Sequence, residues 1–302
     1  MPFQKTSCMF LLIAAAVPMV YASDGGTSVY PMGVETVMPG LMPPPGKTIL
    51  EEFNYFYQAN GVMDGSGHSA VPGFHVRVAA FALKAVHNWG VKALGGTLVS
   101  SVAVPLVYIH LDGPFGSLQK TGLGNSDIGL LDVAYGKGSW HWWYGVDGFT
   151  PGASYSKTDI LNVGQHNAAL APVGAFTWLP HQGKSELSSR YEYIVNFNNQ
   201  ATGYRSGREF IWEYAGMQNI NKALAVGGSG YYYQQTSDDL LNGLAVPGGD
   251  RGRVLAVGPQ LRYHVGRAEL ILKFQRESLV ENRTRGNALW MQVGIPLWGH
   301  EH

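Results

Sequence analysis

From Ala268 to Glu277 apolar and polar side chains alternate one by one. Leu270, Leu272 and Phe274 fall on one parity, and Glu269, Lys273, Gln275 and Glu277 on the other. A period of two marks a strand with one apolar and one polar face. Just upstream, Leu255, Val257, Leu261 and Tyr263 share a parity, and His264, Val265 and Gly266 supply a short turn, so residues 254–263 and 268–280 predict a β-hairpin. The pattern recurs earlier: Leu187, Tyr191, Tyr193 and Val195 oppose Glu186, Ser188, Arg190, Glu192 and Asn196, and Phe210, Trp212 and Tyr214 oppose Glu209 and Glu213. Taken along the chain it predicts twelve strands of about 10–13 residues. They fall at 48–58, 76–88, 97–110, 127–135, 140–149, 169–178, 185–197, 209–218, 223–234, 253–263, 268–280 and 287–297.

The connections alternate in length. Those centred on Asp64, Gly116, Thr158, Gly203 and Gly243 are long and rich in Gly, Asn, Ser and Asp, those near Lys92, Gly138, Gln182, Asn221 and Gly266 are tight, and only the long-side connection near Arg283 is short. Membrane barrels sort their loops onto two ends in this way, and a soluble sandwich has no reason to. The expected fold is therefore all-β: a transmembrane, antiparallel, up-and-down β-barrel of about 12 strands. A helical span at 93–109 is not expected, because Gly95, Gly96, Ser100, Ser101 and Pro105 interrupt that uncharged run and its valines favour strand. Trp89, Trp140, Trp142, Trp143, Trp178 and Trp298 lie beside tight turns or the C-terminus and are expected in one interfacial girdle. Tyr231, Tyr232 and Tyr233, next to a long loop, are expected in the opposite one.

Composition agrees. Charged residues make up 14% of the chain against roughly 25% in soluble domains, while glycine (40 of 302) and aromatics (12%) are high, as suits an exterior in lipid. Lys5 followed by the short apolar run 8–20 and the small-residue pattern ending at Ala22 predicts a secretory signal peptide, residues 1–22, and so an exported protein. Cys8 lies within it, so the mature chain has no cysteine, disulfide or thiol chemistry. Without Lys5 the mature chain carries 20 basic and 21 acidic groups, a net charge of −1, which excludes nucleic acid as a partner. Residues 23–47 hold Gly25, Gly26, Pro31, Gly40, Pro43, Pro44, Pro45 and Gly46 and cannot form one regular element, yet Val29, Tyr30, Val34, Val37 and Leu41 give them apolar groups to bury. They are expected to be a plug folded back into the lumen, the alternative being a disordered leader, and residues 48–302 to be the barrel.

The second half carries the strings Trp212-Glu213-Tyr214-Ala215, Gly230-Tyr231-Tyr232-Tyr233-Gln234-Gln235, Asp239-Leu240-Leu241-Asn242-Gly243, Asp250-Arg251-Gly252-Arg253, Gly258-Pro259-Gln260 and Glu281-Asn282-Arg283-Thr284-Arg285-Gly286. With Tyr30-Pro31-Met32-Gly33-Val34-Glu35 and Pro43-Pro44-Pro45-Gly46 near the start, this resembles the transporter-like family named for the phenol meta-cleavage pathway. The resemblance implies a barrel of the Gram-negative outer membrane, distantly similar to long-chain fatty-acid transporters, that admits small hydrophobic or aromatic solutes. One departure is that Trp298 is followed by Gly299, His300, Glu301 and His302, whereas such barrels often end on an aromatic residue.

The residues on the parity expected to face the lumen are Glu52, Asn54, Glu186, Arg190, Glu192, Glu209, Glu213, Gln260, Arg262, Glu269, Lys273 and Gln275. They either hold the plug and guide a ligand or pair across strands to stiffen the wall. Arg251, Arg253, Arg283 and Arg285 share the predicted outer rim. They either clamp lipopolysaccharide phosphates or order the loops by pairing with Asp238, Asp239, Asp250 and Glu281. A lipase-type barrel needs serine, histidine and an orienting amide, and His166-Asn167 has no serine at catalytic spacing. Apart from His300 and His302 the histidines show no metal spacing, and no phosphate-binding glycine loop is present. The sequence thus points to a monomeric, cofactor-free, non-enzymatic channel in contact with outer-membrane lipid, lipopolysaccharide and a small apolar solute. A structural or lipopolysaccharide-binding barrel without transport is the other reading.

Overall fold

The computed structural model describes residues 27–298 apart from 115, 152 and 153. The expected signal peptide and the His300/His302 tail lie outside the described residues. Sixteen strands follow in chain order: β1 Thr48–Val62, β2 His75–Ala93, β3 Gly96–Gly113, β4 Gly116–Leu123, β5 Asp127–Lys137, β6 Trp140–Phe149, β7 Ala169–Trp178, β8 Ser185–Asn196, β9 Tyr204–Arg205, β10 Glu209–Asn219, β11 Leu224–Gln235, β12 Leu240–Leu241, β13 Leu244–Ala245, β14 Arg253–Val265, β15 Ala268–Glu281 and β16 Thr284–Pro296. All but β4, β9, β12 and β13 form the wall. Each of these twelve pairs antiparallel with the next, and β16 returns to β1 from Ile49↔Pro296 to Val62↔Thr284, so the sheet closes. Closure leaves no strand edge unpaired, the condition for a β-sheet in hydrocarbon. β4 prolongs β3 as a hairpin in the loop expected around Gly116, and β9, β12 and β13 form a small ladder among the loops.

Tight connections at 94–95, 138–139, 179–184, 220–223 and 266–267 gather at one end, the turn end. The longer ones at 63–74, 150–168, 197–208 and 236–252 gather at the other, the loop end.

The alternation read from the sequence becomes the two faces of this wall. Leu270, Leu272 and Phe274 are exposed on the outside of β15, as are Leu187 and Tyr191 on β8, while Ile271, Lys273, Gln275, Glu186 and Glu192 are buried inside. Large apolar side chains cover the exterior on every part of the circumference, a surface that calls for lipid. No described helix is long and apolar enough to cross a membrane. At the turn end Trp140 stacks on Trp178 (5.1 Å) and Trp142 on Tyr135 (5.5 Å), and Trp89 is exposed.

Two aromatic expectations are corrected. Trp143 turns inward, donating its indole N–H to the Pro39 carbonyl at 2.5 Å, and of the tyrosine triplet only Tyr232 faces out, Tyr231 and Tyr233 being buried inside. Consecutive strand residues point to opposite faces, so three adjacent rings cannot share one girdle.

Candidate functional site

Residues 27–47 have no regular secondary structure. Their hydrogen bonds reach β6, β7, β8, β10, β14, β15 and β16, strands on every side of the wall, which only a segment inside the barrel can do. The segment descends the bore. Near the loop end Thr27 accepts a bond from Gln165 (2.7 Å), and at the turn end the Pro43 carbonyl accepts one from Asn88 (2.8 Å), just before the chain turns back as β1.

Glu213 on β10 bonds the segment twice. Its two carboxylate oxygens accept the Tyr30 hydroxyl (2.8 Å) and the Gly33 N–H (2.5 Å), while the Arg190 guanidinium lies 4.4 Å over the Tyr30 ring. Burial pushes the Tyr30 hydroxyl well above its ordinary pKa, against the pull of Arg190, so it stays a neutral donor. One turn further down the segment, Lys273 donates to the Val34 carbonyl (2.7 Å) and the Thr36 hydroxyl (3.0 Å), Gln292 to the same carbonyl (2.9 Å), and Thr36 to Gln260 (2.8 Å). Lys84 on β2 pairs with Glu35. Burial raises the Glu35 carboxyl, but Lys84, Arg190 and Lys273 together more than offset this and hold it below the usual range. At the bottom Met38 N–H donates to Glu186 (3.1 Å) and Gly40 N–H to Thr177 (3.0 Å).

Two glycines permit this fit. Gly33 has φ +87° and a Cβ there would meet the Gln275 amide at 2.2 Å; at Gly40 a Cβ would meet the β7 backbone at 2.3 Å.

Of the residues expected to face the lumen, Glu186, Arg190, Glu192, Glu209, Glu213, Gln260, Arg262, Lys273 and Gln275 are buried inside it, and Glu269 points inward near the turn end. They divide between the two roles considered. Glu186, Glu213, Gln260 and Lys273 bond the segment. Arg190 bridges Asp147 (2.9 Å) and Glu192 (2.6 Å), Glu209 takes a bond from Asn196 (2.7 Å), and Arg262 reaches Glu186 (2.6 Å) and Glu269 (3.4 Å).

Glu52 and Asn54 are on the other side: they pair with each other (2.8 Å) on the outer face of β1, between exposed Leu50 and Phe56. Inside that stretch Glu51, Phe53, Tyr55 and Tyr57 take the lumen parity. The inner wall is aromatic here, Tyr55 lying 4.3 Å from Trp290, so an apolar parity no longer means an outward one.

A family model described as "Putative MetA-pathway of phenol degradation" matches residues 59–293, more than half of the chain. The chain belongs to this family. Among solved structures, an outer membrane channel from Pseudomonas putida F1 superposes with a TM-score of 0.75 at 14% identity, covering 89% of this chain and all of its own. At that identity the likeness shows the fold, a twelve-stranded outer-membrane-type barrel. The β domain of the Bordetella autotransporter BrkA (TM-score 0.49, 12% identity, 83% of this chain and 98% of its own) and the CymD monoaromatic hydrocarbon channel (0.44, 6%, 94% and 100%) are barrels whose likeness is too slight to bear on this one. No curated protein matches the sequence.

In this family member the four rim arginines do not converge. Arg251 pairs with Asp238 (2.7 Å) and Arg253 with Glu281, the loop-ordering role, while Arg283 is buried with its guanidinium 4.0 Å over the Tyr233 ring. Of the four, only Arg285 has no hydrogen-bond or ion-pair partner among the described residues, and it is exposed. His166 stacks on Tyr155 (4.9 Å), and no serine bonds its ring among the described residues. No group of three metal-ligating side chains occurs among them. Sequence reasoning missed Lys84, Asn88, Trp143, Thr177 and Gln292. Four of them bond backbone carbonyls or N–H groups of an aperiodic segment, a partner that no alternation can announce.

Proposed function

We propose that this protein is a Gram-negative outer-membrane channel for passive uptake of small hydrophobic or aromatic compounds. Its signal peptide, residues 1–22, is removed, residues 23–47 act as the plug, and residues 48–302 form the barrel with its turn end toward the periplasm. The observation that carries this reading is the lining beside the plug. Phe53, Tyr57, Ile194, Ile211, Tyr231 and Trp290 belong to one buried apolar cluster with Val29, Tyr30 and Val34 of the segment. At this depth the bore also carries Glu213, Lys273 and Arg190, but these are bonded to the segment or to other wall groups, so the apolar patch is the part of the lining left for a solute and it favours apolar ones, which a polysaccharide-covered leaflet holds back.

The test is the initial uptake rate of a labelled monoaromatic compound by intact cells with and without the protein, and with residues 27–47 replaced by a Gly/Ser sequence of equal length. A protein-dependent rate that changes on replacement supports gated uptake. An unchanged rate in all three strains would leave a structural or lipid-binding barrel.

A further inference from the structure

The outer face of the wall changes character along one line. Phe56, Leu289 and Phe274 are cross-strand partners on β1, β16 and β15, and the next outward row, Gln58, Asn287 and Arg276, is polar on all three. The apolar band therefore ends between these two rows, and what lies above it meets the polar layer of the membrane.

At the same place the ladder opens. β15 and β16 pair only as far as Arg276↔Asn287. Beyond it β15 follows β14 alone, with Leu279 kinked to φ 51°, and β16 follows β1. The notch so formed is a cavity of about 520 Å³ lined by Gln58, Asn60, Arg276, Ser278, Arg285 and Asn287. A second hollow of about 200 Å³ continues it past Asn60 toward Arg77, whose guanidinium is 3.6 Å from Asp112.

Neither Arg276 nor Arg285 has a hydrogen-bond or ion-pair partner among the described residues, and both are exposed. The acid at the floor of the notch, Glu277, is already engaged: Tyr57 (2.8 Å) and Tyr231 (2.6 Å) donate to it from the lumen side, and the Gly286 N–H (2.6 Å) from β16. Two unpaired guanidinia and three side-chain amides thus face outward at the upper edge of an apolar surface, over a carboxylate whose acceptors are turned away. The connection above them, at Asn282 and Arg283, is short, and the 63–74 loop, which packs against Val280 and Asn282, contributes no residue to the lining of the notch.

We propose that this notch binds the phosphate of an anionic lipid headgroup in the outer leaflet, with Arg276 and Arg285 as its clamp. The acyl chains lie along Phe274, Leu289 and Phe56 below. Guanidinium forks suit phosphate oxygens, and at an interface they are worth more than in bulk water. The site rests on the lipid-facing reading of the exterior and is independent of what passes through the lumen.

The experiment is native mass spectrometry of the mature chain released from micelles doped with phosphatidic acid or, in parallel, phosphatidylcholine. The parent is expected to retain phosphatidic acid preferentially, and Arg276→Gln with Arg285→Gln to lower that retention about tenfold while leaving phosphatidylcholine unchanged. Arg267→Gln, at an exposed turn on the opposite end, should change neither. Equal retention by the double variant and the parent would overturn the site, as would an equal loss in Arg267→Gln. Displacement of the lipid by soluble glycerol phosphate at equal concentration would also overturn it, in favour of a free-anion site. If the parent retained no lipid of either kind, the lipid-facing reading itself would fail. Heat-shift electrophoresis of the double variant separates a lost site from a lost fold.

Discussion

Glu213 holds two donors of the segment at once, Tyr30 O–H and Gly33 N–H, with Glu213 and Tyr30 both buried. Glu213→Gln keeps the shape but replaces one acceptor oxygen with a donor and removes the charge. A hydrogen bond to a charged group contributes about 1.5–3 kcal/mol, so the docked-to-undocked ratio of the segment should fall roughly ten- to a hundredfold. Limited proteolysis of residues 27–47 in micelles reads this directly, and an unchanged cleavage rate would remove Glu213 from the latch. At this scale the sequence was legible wherever a strand kept polar and apolar groups strictly apart. Glu186, Arg190, Glu192, Glu209 and Glu213 announced their face by opposing Leu187, Tyr191, Phe210 and Trp212. Glu52 and Asn54 misled because β1 carries rings on both parities, Phe56 outside and Tyr55 and Tyr57 inside.

The elements themselves were written plainly in the period-two runs, and the twelve wall strands start and stop close to the expected positions. They overrun at the loop end, β1 to Val62, β3 to Gly113 and β16 from Thr284, because antiparallel pairing continues into water where hydropathy no longer marks it, and β2 overruns at the turn end, to Ala93. The loop around Gly116 hides β4 for the same reason. The two faces of β1 give a direct check. Glu52→Leu removes an outward carboxylate from between Leu83 and Val293 and is expected to leave the barrel as stable or more so, since acids on the lipid face cost up to a few kcal/mol. Glu51→Leu, one residue away and inward beside Lys84, is expected to destabilise it. Urea titration of the refolded protein in lipid vesicles measures both, and the opposite ranking would mean that β1 is read one residue out of register.

As a whole the wall has no free edge, so it is expected to resist detergent as a unit. Unboiled protein should migrate faster than boiled protein on a denaturing gel and shift on heating, and a deletion of residues 27–47 should keep this shift while raising single-channel conductance. A deletion that abolished the shift would show that the barrel depends on the segment for its fold. The descent of the segment from Thr27 to Lys47 and its direct continuation into β1 carry one more consequence. Because it stays joined to the wall at Lys47, the undocked segment is a tethered ligand for its own lumen, and a short flexible tether keeps such a ligand at an effective concentration on the order of millimolar. A solute that must occupy the same contacts competes with that concentration at every encounter. In the proposed channel a dilute solute therefore meets the docked segment at the very rings it would use, Tyr57, Tyr231 and Trp290, which pack in one cluster with Val29, Tyr30 and Val34.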